Sequence, residues 1–184
     1  METTTFTALV AFESMFGNTE AVARAVAEGL RLEGCTVDTV DVGAEQAAGM
    51  PYALVVVGAP THAFSLSRPA TRQDAVRQGG RPAAAATGVR EWLAGLRQAP
   101  DLRPGLAAAF DTRVSRVRRL PKAASTRAFH LLERLGFSMV SRPTGFLVTD
   151  IQGDLVPGEL ERATAWGRQI AAESRVRLAA TASR

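Results

Sequence analysis

Apolar residues along the chain fall into two alternating patterns, short continuous runs and stripes at helical spacing. The runs Phe6–Phe12, Ala53–Ala59 and Leu106–Phe110 contain almost no polar residue, which is typical of strands covered on both faces of a parallel sheet. The run Thr36–Val42 contains two aspartates, so it is predicted as an edge strand. Two further extended segments flank Pro143: Ser138–Arg142 and Gly145–Thr149.

Helical stripes separate these runs. They predict helices over about Asn18–Glu33, through Val89–Leu96, through Ala128–Leu135 and over about Gly158–Glu173, the last burying Leu160. Alternation of strand and helix argues for an α/β fold, a doubly wound parallel sheet with helices on both faces. We expect one such domain over residues 1–173 and a frayed C-terminal tail over residues 174–184.

The connection from Pro60 to Thr87 is longer than unstructured connections usually are in compact domains. Thr71–Gln78 within it is compatible with a turn or two of helix, and Gly79–Ala86 is expected to be mobile. Because long connections are often functional, this one is a candidate lid.

In a doubly wound sheet, ligands bind outside the carboxyl ends of the strands. Three polar loops follow predicted strands at that edge: Ser14–Thr19, Pro60–Ser67 and Asp111–Arg119. The first offers hydroxyls, an amide, the permissive Gly17 and backbone N–H groups at the start of a helix, which together suit a phosphate. It lacks the sequence signatures of nucleoside-triphosphate and dinucleotide loops, so a monophosphate is expected. The alternative is that these residues only cap the helix.

Composition suits one domain with a buried core, since 46% of the 184 residues are hydrophobic. The 22 Lys and Arg against 18 Asp and Glu give a net charge of +4, which favours anionic partners without selecting one. The segment Arg113–Arg127 carries basic charges only. It is either a solvated surface or an anion site for a phosphorylated cofactor, an acidic protein or nucleic acid. Nucleic acid is disfavoured because no aromatic residue interrupts the segment before Phe129.

The cysteine and histidine content, the N-terminal residues and the length of the apolar runs bear on disulfides, metal sites and location in the cell. The single cysteine, Cys35, excludes an internal disulfide and is expected to pack in the interior. One cysteine and two histidines make a zinc site improbable. The N-terminus lacks the pattern of a signal peptide, and no apolar run has the length of a membrane span. A cytoplasmic protein is therefore expected.

Two motifs carry a resemblance to a known family. Glu13-Ser14-Met15-Phe16-Gly17-Asn18-Thr19-Glu20 after the first strand, with Gly58-Ala59-Pro60-Thr61-His62 after the third, resembles the flavodoxin family, and the similarity extends from about Phe6 to Ile170. The resemblance implies a five-stranded sheet of order 2-1-3-4-5 that binds FMN. The first loop would then wrap the FMN phosphate, and the loops after strands three and four would flank the isoalloxazine ring.

By position in the motifs, the resemblance assigns roles to individual residues. Ser14, Gly17, Asn18 and Thr19 correspond to phosphate contacts, with Met15 and Phe16 contributing backbone N–H groups. Pro60, Thr61, His62 and Phe64 would lie along the flavin on one side, with Asp111, Thr112 and Arg113 approaching it from the other. A positive charge near the flavin stabilises its reduced form, so Arg113 is expected to raise the reduction potential.

The implied function is electron transfer between FMN and a redox partner protein, an acidic one included, or a small-molecule acceptor. The chain differs from many flavodoxins in its basic charge, in Phe16 where a threonine is common, and in having no Tyr or Trp in the loop after strand four. Two alternatives follow: an FMN-dependent NAD(P)H or quinone oxidoreductase, whose first loop is similar, and a binding protein that keeps the fold without FMN.

Overall fold

The computed structural model describes residues 5–44, 52–61, 65–99, 102–117 and 123–182. Its strands are β1 (Thr7–Phe12), β2 (Thr36–Asp41), β3 (Leu54–Pro60), β4 (Leu106–Val114), β5 (Ser138–Met139) and β6 (Thr144–Val148). Its α-helices are α1 (Asn18–Leu32), α2 (Pro69–Arg77), α3 (Val89–Leu96), α4 (Ala124–Arg134) and α5 (Glu159–Ala182), with 3-10 turns at Pro82–Ala85 and Ser115–Val117.

The strands form one parallel sheet in the order β2-β1-β3-β4-β5, which confirms the predicted fold class and strand order. β2 is an edge strand, as its aspartates indicate. The fifth position of the sheet is divided, because β5 pairs with the start of β4 at Leu106–Ala107 and β6 pairs with its end at Phe110–Val114. Pro143 lies between the two pieces, where its missing N–H cannot interrupt a ladder.

Alternate residues of the central strands fill two cores. One face, with Val10, Val56 and Phe110, packs with α1 and α5, and the other, with Val55 and Ala109, packs with α3 and α4. This two-sided burial explains why the strand runs are continuously apolar. Cys35 is buried in the first core, as predicted.

Several boundaries differ from the sequence prediction. β4 continues through Asp111–Arg113 to Val114, where a loop is expected, because β6 pairs with this polar stretch. α5 continues to Ala182 where fraying is expected after residue 173; Ser174 is buried, and Arg177 donates to the carbonyl of Met139 at 2.9 Å. Leu160 is exposed rather than buried.

The long connection after β3 contains regular structure in its described part. It holds α2 and the turn Pro82–Ala85, and Gly80 donates its N–H to the Ala75 carbonyl at 2.8 Å. Among the described residues, no helix is both long and apolar enough to cross a membrane. Within the same residues, no group of three or more His, Cys, Asp and Glu side chains is placed to hold a metal ion.

Helices α1 and α5 pack closely because each has a glycine at the contact. A Cβ on Gly29 of α1 would lie 2.1 Å from the Thr164 carbonyl oxygen, and one on Gly167 of α5 would lie 2.4 Å from the Val26 carbonyl oxygen. Both obstacles are backbone atoms, which cannot rotate away. Any larger residue therefore forces the helices apart.

The substitution Gly29→Ala is expected to lower the free energy of unfolding by about 1–3 kcal/mol, since overpacking outweighs the better helix propensity of alanine. Gly95→Ala in α3 is the matched control, because nothing lies within 4 Å of the position that its new Cβ would take; it should raise stability by up to about 1 kcal/mol. Urea denaturation measures both. Equal effects of the two substitutions would contradict close α1–α5 packing.

Candidate functional site

A cavity of about 150 Å³ lies at the carboxyl ends of β1, β3 and β4. It is lined by Met15, Phe16, Asn18, Thr19, Pro60, Thr61, Thr112, Arg113, Val114, Val148 and Ile151. The fold thus brings together residues of all three predicted loops at one edge of the sheet. Of the other predicted site residues, Ser14, Gly17 and Asp111 are adjacent in the chain to lining residues, and His62 and Phe64 lie outside the described residues.

The loop after β1 is shaped by Ser14 and Gly17. Gly17 has a φ of 97°, a left-handed conformation that favours glycine. The Ser14 hydroxyl oxygen is buried and accepts the N–H groups of Gly17 at 3.1 Å and Glu20 at 3.3 Å. Ser14 therefore caps α1, as the capping alternative predicts, while its own hydroxyl proton can still be donated.

The same loop presents backbone donors to which no described residue provides an acceptor. Within the described residues, no acceptor lies within hydrogen-bonding distance of the N–H groups of Met15, Phe16, Asn18 and Thr19. Those of Asn18 and Thr19 belong to the first turn of α1, which lacks intrahelical acceptors and carries the positive end of the helix dipole. Such a set of donors suits an anion.

The side chains of Asn18 and Thr19 hold the loop to its neighbours. The Asn18 amide donates to the Gly153 carbonyl at 2.7 Å, and the Thr19 hydroxyl lies 2.8 Å from that of Thr112. One hydroxyl of this pair keeps a proton that it can donate elsewhere. Backbone N–H groups are therefore the main donors that the loop leaves for a ligand.

Arg81 lies over this loop, although the sequence pattern does not single it out. Its backbone N–H donates to the Met15 carbonyl at 3.0 Å, and its guanidinium pairs with Glu20. One guanidinium nitrogen lies 3.6 Å from the position that a Cβ on Gly17 would take. Hydrogen bonds from Arg24 and then Arg81 lower the pKa of Glu20, so two cations and one carboxylate surround the loop.

Thr61 and Asp111 cap helix α4. The Thr61 hydroxyl oxygen accepts the Ala124 N–H at 3.0 Å, and the Asp111 carboxylate accepts the Ser125 N–H at 2.9 Å. Arg113 donates twice to Asp111, at 2.6 and 2.7 Å, and this pair is largely buried. Because Asp111 balances the charge of Arg113, the structure removes the basis for expecting Arg113 to raise a flavin's reduction potential.

The cavity has an apolar wall that the sequence does not predict. Val114 and Val148 line it from β4 and β6, and Ile151 lines it from the next turn although its side chain is 62% exposed. This turn is attached to α2, since Gln152 donates to the Gln78 carbonyl at 3.0 Å. Phe16 is the one aromatic residue in the described lining, and it also packs on Met15, Ala75 and Ala84.

A buried polar cluster anchors the long connection behind the loop. Glu13, 1% exposed, accepts the Val89 N–H at 2.9 Å through one carboxylate oxygen, and the other oxygen has no partner among the described residues. Arg72, also buried, pairs with Glu91 at 3.1 Å and donates to the Ser67 hydroxyl at 3.1 Å. Burial raises the pKa of Glu13.

Comparison with solved structures identifies the fold. Flavodoxin 1 from Bacillus cereus matches with a TM-score of 0.61 and 17% identity over 90% of this chain and 97% of that one. A flavodoxin from Streptococcus pneumoniae TIGR4 matches with a TM-score of 0.61 and 18% identity over 91% of this chain and 99% of that one. A WrbA-like flavodoxin from Agrobacterium tumefaciens matches with a TM-score of 0.58 and 16% identity over 92% of this chain and 98% of that one. No protein-family model and no curated protein sequence matches. These likenesses confirm the flavodoxin-like fold.

Ionisation of Glu13 is expected to reduce stability. Because burial raises its folded-state pKa above the usual 4.5, folding favours the protonated form. The contribution of Glu13 to the free energy of unfolding should therefore be greatest below about pH 4.5, where Glu13 is protonated in the unfolded state as well. It should fall as pH rises through the folded-state pKa, with a slope of up to about 1.4 kcal/mol per pH unit. Glu13→Gln should remove this component.

Urea unfolding between pH 4 and 8 measures the effect as the difference between wild type and variant. Glu28→Gln, on the exposed face of α1, is the control and should leave the profile unchanged. If Glu13→Gln and wild type show parallel profiles, burial does not perturb Glu13.

Proposed function

We propose that the protein binds FMN non-covalently at this cleft and acts in electron transfer. The observation that carries the proposal is the set of N–H groups at Met15, Phe16, Asn18 and Thr19 that find no acceptor among the described residues, beside a helix N-terminus and an arginine. The flavodoxin-like fold and the resemblance of the loop sequence support FMN as the anion. When bound, FMN supplies the redox chemistry, and the protein binds and orients it.

The phosphate would be held by the loop Ser14–Thr19. Its backbone N–H groups and the Ser14 hydroxyl are the donors, and Gly17 allows the backbone to approach closely. Phe16 offers no hydroxyl but keeps its N–H, and its side chain supports the neighbouring segment. Arg81 adds a positive charge that a dianionic phosphate would attract.

The isoalloxazine ring would lie in the cavity beyond the loop. Pro60 and Thr61 at the end of β3, with His62 and Phe64 following in the chain, border the cavity next to Thr112 and Arg113 on the paired strand β4. Val114, Val148 and Ile151 supply apolar contacts in place of a stacked Tyr or Trp. Asp111 would not contact the ring itself; it would position Arg113 and the start of α4 by accepting their hydrogen bonds.

A second candidate is an FMN-dependent NAD(P)H or quinone oxidoreductase. It is favoured by the long connection after β3, which is held to the loop through Arg81 and to the turn after β6 through Gln78, and which would restrict access to a substrate beside the flavin. Turnover of NAD(P)H with a quinone by the FMN-loaded protein distinguishes it. An electron carrier would show slow turnover and instead exchange electrons with a protein or small-molecule partner.

FMN titration tests the proposal directly. Wild-type protein is expected to quench FMN fluorescence with a saturable one-to-one stoichiometry and to bind riboflavin at least about tenfold more weakly, because riboflavin lacks the phosphate. A protein that remains colourless with excess FMN would instead support the alternative in which the fold has lost its cofactor.

Arg81→Gln is expected to weaken FMN binding by about 10- to 100-fold, the range for one hydrogen bond to a charged group. Riboflavin affinity should change by less than about twofold, because the phosphate is the group that Arg81 would contact. Arg77→Gln, an exposed arginine on α2 paired with Asp74, is the control and should bind both flavins as wild type does. Equal loss of FMN and riboflavin affinity would show that Arg81 supports the loop rather than the phosphate.

A further inference from the structure

A second cavity lies between α3 and α4, away from the proposed flavin site. It has a volume of about 420 Å³ and is lined by Arg90, Leu93, Ala94, Arg97, Arg127, Leu131, Arg134 and Leu135. Every lining residue belongs to one of these two helices or directly follows one of them. We call this cavity the arginine groove.

The four arginines of the groove are spaced regularly. Arg90 and Arg97 are seven residues apart, as are Arg127 and Arg134, and seven helical residues span about 10 Å. α3 precedes β4 and α4 precedes β5 in one parallel sheet, so the two helices run in the same direction. One pair of arginines, Arg90 with Arg127, therefore lies at one end of the groove, and Arg97 with Arg134 lies at the other.

The electrostatic surroundings of Arg90 also indicate that Arg90 and Arg127 lie at the same end of the groove. Burial, and then the positive charge of Arg127, lower the pKa of Arg90, with a further contribution from Arg68. Arg90 donates to the carbonyls of Leu66 and Ser67 at 3.1 and 3.4 Å, which holds its side chain at the groove. The positive charges at this end are thus close enough to repel one another.

The groove arginines lack carboxylate partners within the described part of the chain. Nine described arginines elsewhere do pair with carboxylates, whereas Arg31, Arg68, Arg103, Arg116 and Arg142 also lack such a partner. The groove differs from these single arginines in bringing four positive charges without a directly paired described carboxylate to one concave surface, which an anionic partner would neutralise.

Between the two ends, the floor of the groove is apolar. Leu93 and Ala94 from α3 face Leu131 and Leu135 from the α4 side. An apolar floor with cationic ends matches a helix that carries acidic residues two turns apart and apolar residues between them, all on one face. A flat membrane surface does not match a concave floor, and no aromatic side chain among the described residues lines the groove to stack with a nucleic-acid base.

We propose that the arginine groove docks an acidic amphipathic helix of a partner protein. Each of two acidic residues at positions i and i+7 of that helix meets one end of the groove, and apolar residues at i+3 and i+4 cover Ala94 and Leu131. The docking surface does not depend on flavin, so its failure or success is separate from that of the proposed function.

A synthetic peptide tests this arrangement on the full-length protein. The probe is a fluorescently labelled, alanine-based helix of about 18 residues, long enough to be partly helical alone, with Glu at i and i+7 and Leu at i+3 and i+4. The comparison peptide has the same composition with both Glu residues moved to the face opposite the leucines. Anisotropy titration at low salt should show at least about tenfold tighter binding of the probe.

Two double variants with the same change in net charge localise the binding. Arg97→Gln with Arg134→Gln should weaken probe binding by at least about tenfold. Arg31→Gln with Arg142→Gln, on α1 and between β5 and β6, should change it by less than about twofold. Circular dichroism and thermal unfolding verify that both variants fold.

Three results would overturn the proposal. Equal binding of the two peptides, or equal losses in the two double variants, would show general attraction between a basic protein and an acidic peptide. Binding of duplex DNA or phosphatidylserine vesicles that the groove variant loses, without preference for the probe peptide, would assign the groove to a different occupant.

Discussion

The beginning of α1 sets a constraint on the rest of the site. Its first N–H groups cannot find acceptors within the helix, and the N–H groups of Met15 and Phe16 in the loop before it have no acceptor in the described part of the chain either. Ser14 satisfies two of the neighbouring donors, and Gly17 gives the backbone the left-handed turn that this geometry needs. What is left is a preformed, electropositive set of donors at the edge of the sheet.

The surrounding segments stabilise this loop through long-range contacts. Arg81 approaches from the connection after β3, Gly153 from the turn after β6, and Thr112 from β4. Glu20 would repel an anion, but its two arginine partners make the immediate surroundings net positive. The loop is thus rigid where its shape matters, and its backbone donors remain available, which is the arrangement that pre-organised anion binding requires.

Periodicity in the sequence was sufficient to predict the strands and the main helices, because burial on both faces leaves continuous apolar runs. The sheet order was implied by the resemblance of the two loop motifs to the flavodoxin family. Periodicity fails where contacts between residues distant in the chain determine the extent of an element or the residues that surround the site. Asp111 and Arg113 have the polarity of a loop, yet β6 pairs with them and α4 needs the Asp111 cap. Arg81 lies far from Glu20 in the chain, and Ile151 follows β6 in an ordinary turn, so no local pattern marks either one. The C-terminal part of α5 likewise depends on contacts with Met139 and Glu33.

We propose that the backbone N–H groups of the first loop, which have no acceptor among the described residues, bind the FMN phosphate. Amide chemical shifts in a ¹⁵N–¹H correlation spectrum report on these groups individually. On addition of FMN, the amides of Met15, Phe16, Asn18 and Thr19 should shift strongly, and inorganic phosphate at high concentration should move the same signals in the same direction. If FMN binds while these amides stay in place, the phosphate is held elsewhere and the account of this loop is wrong.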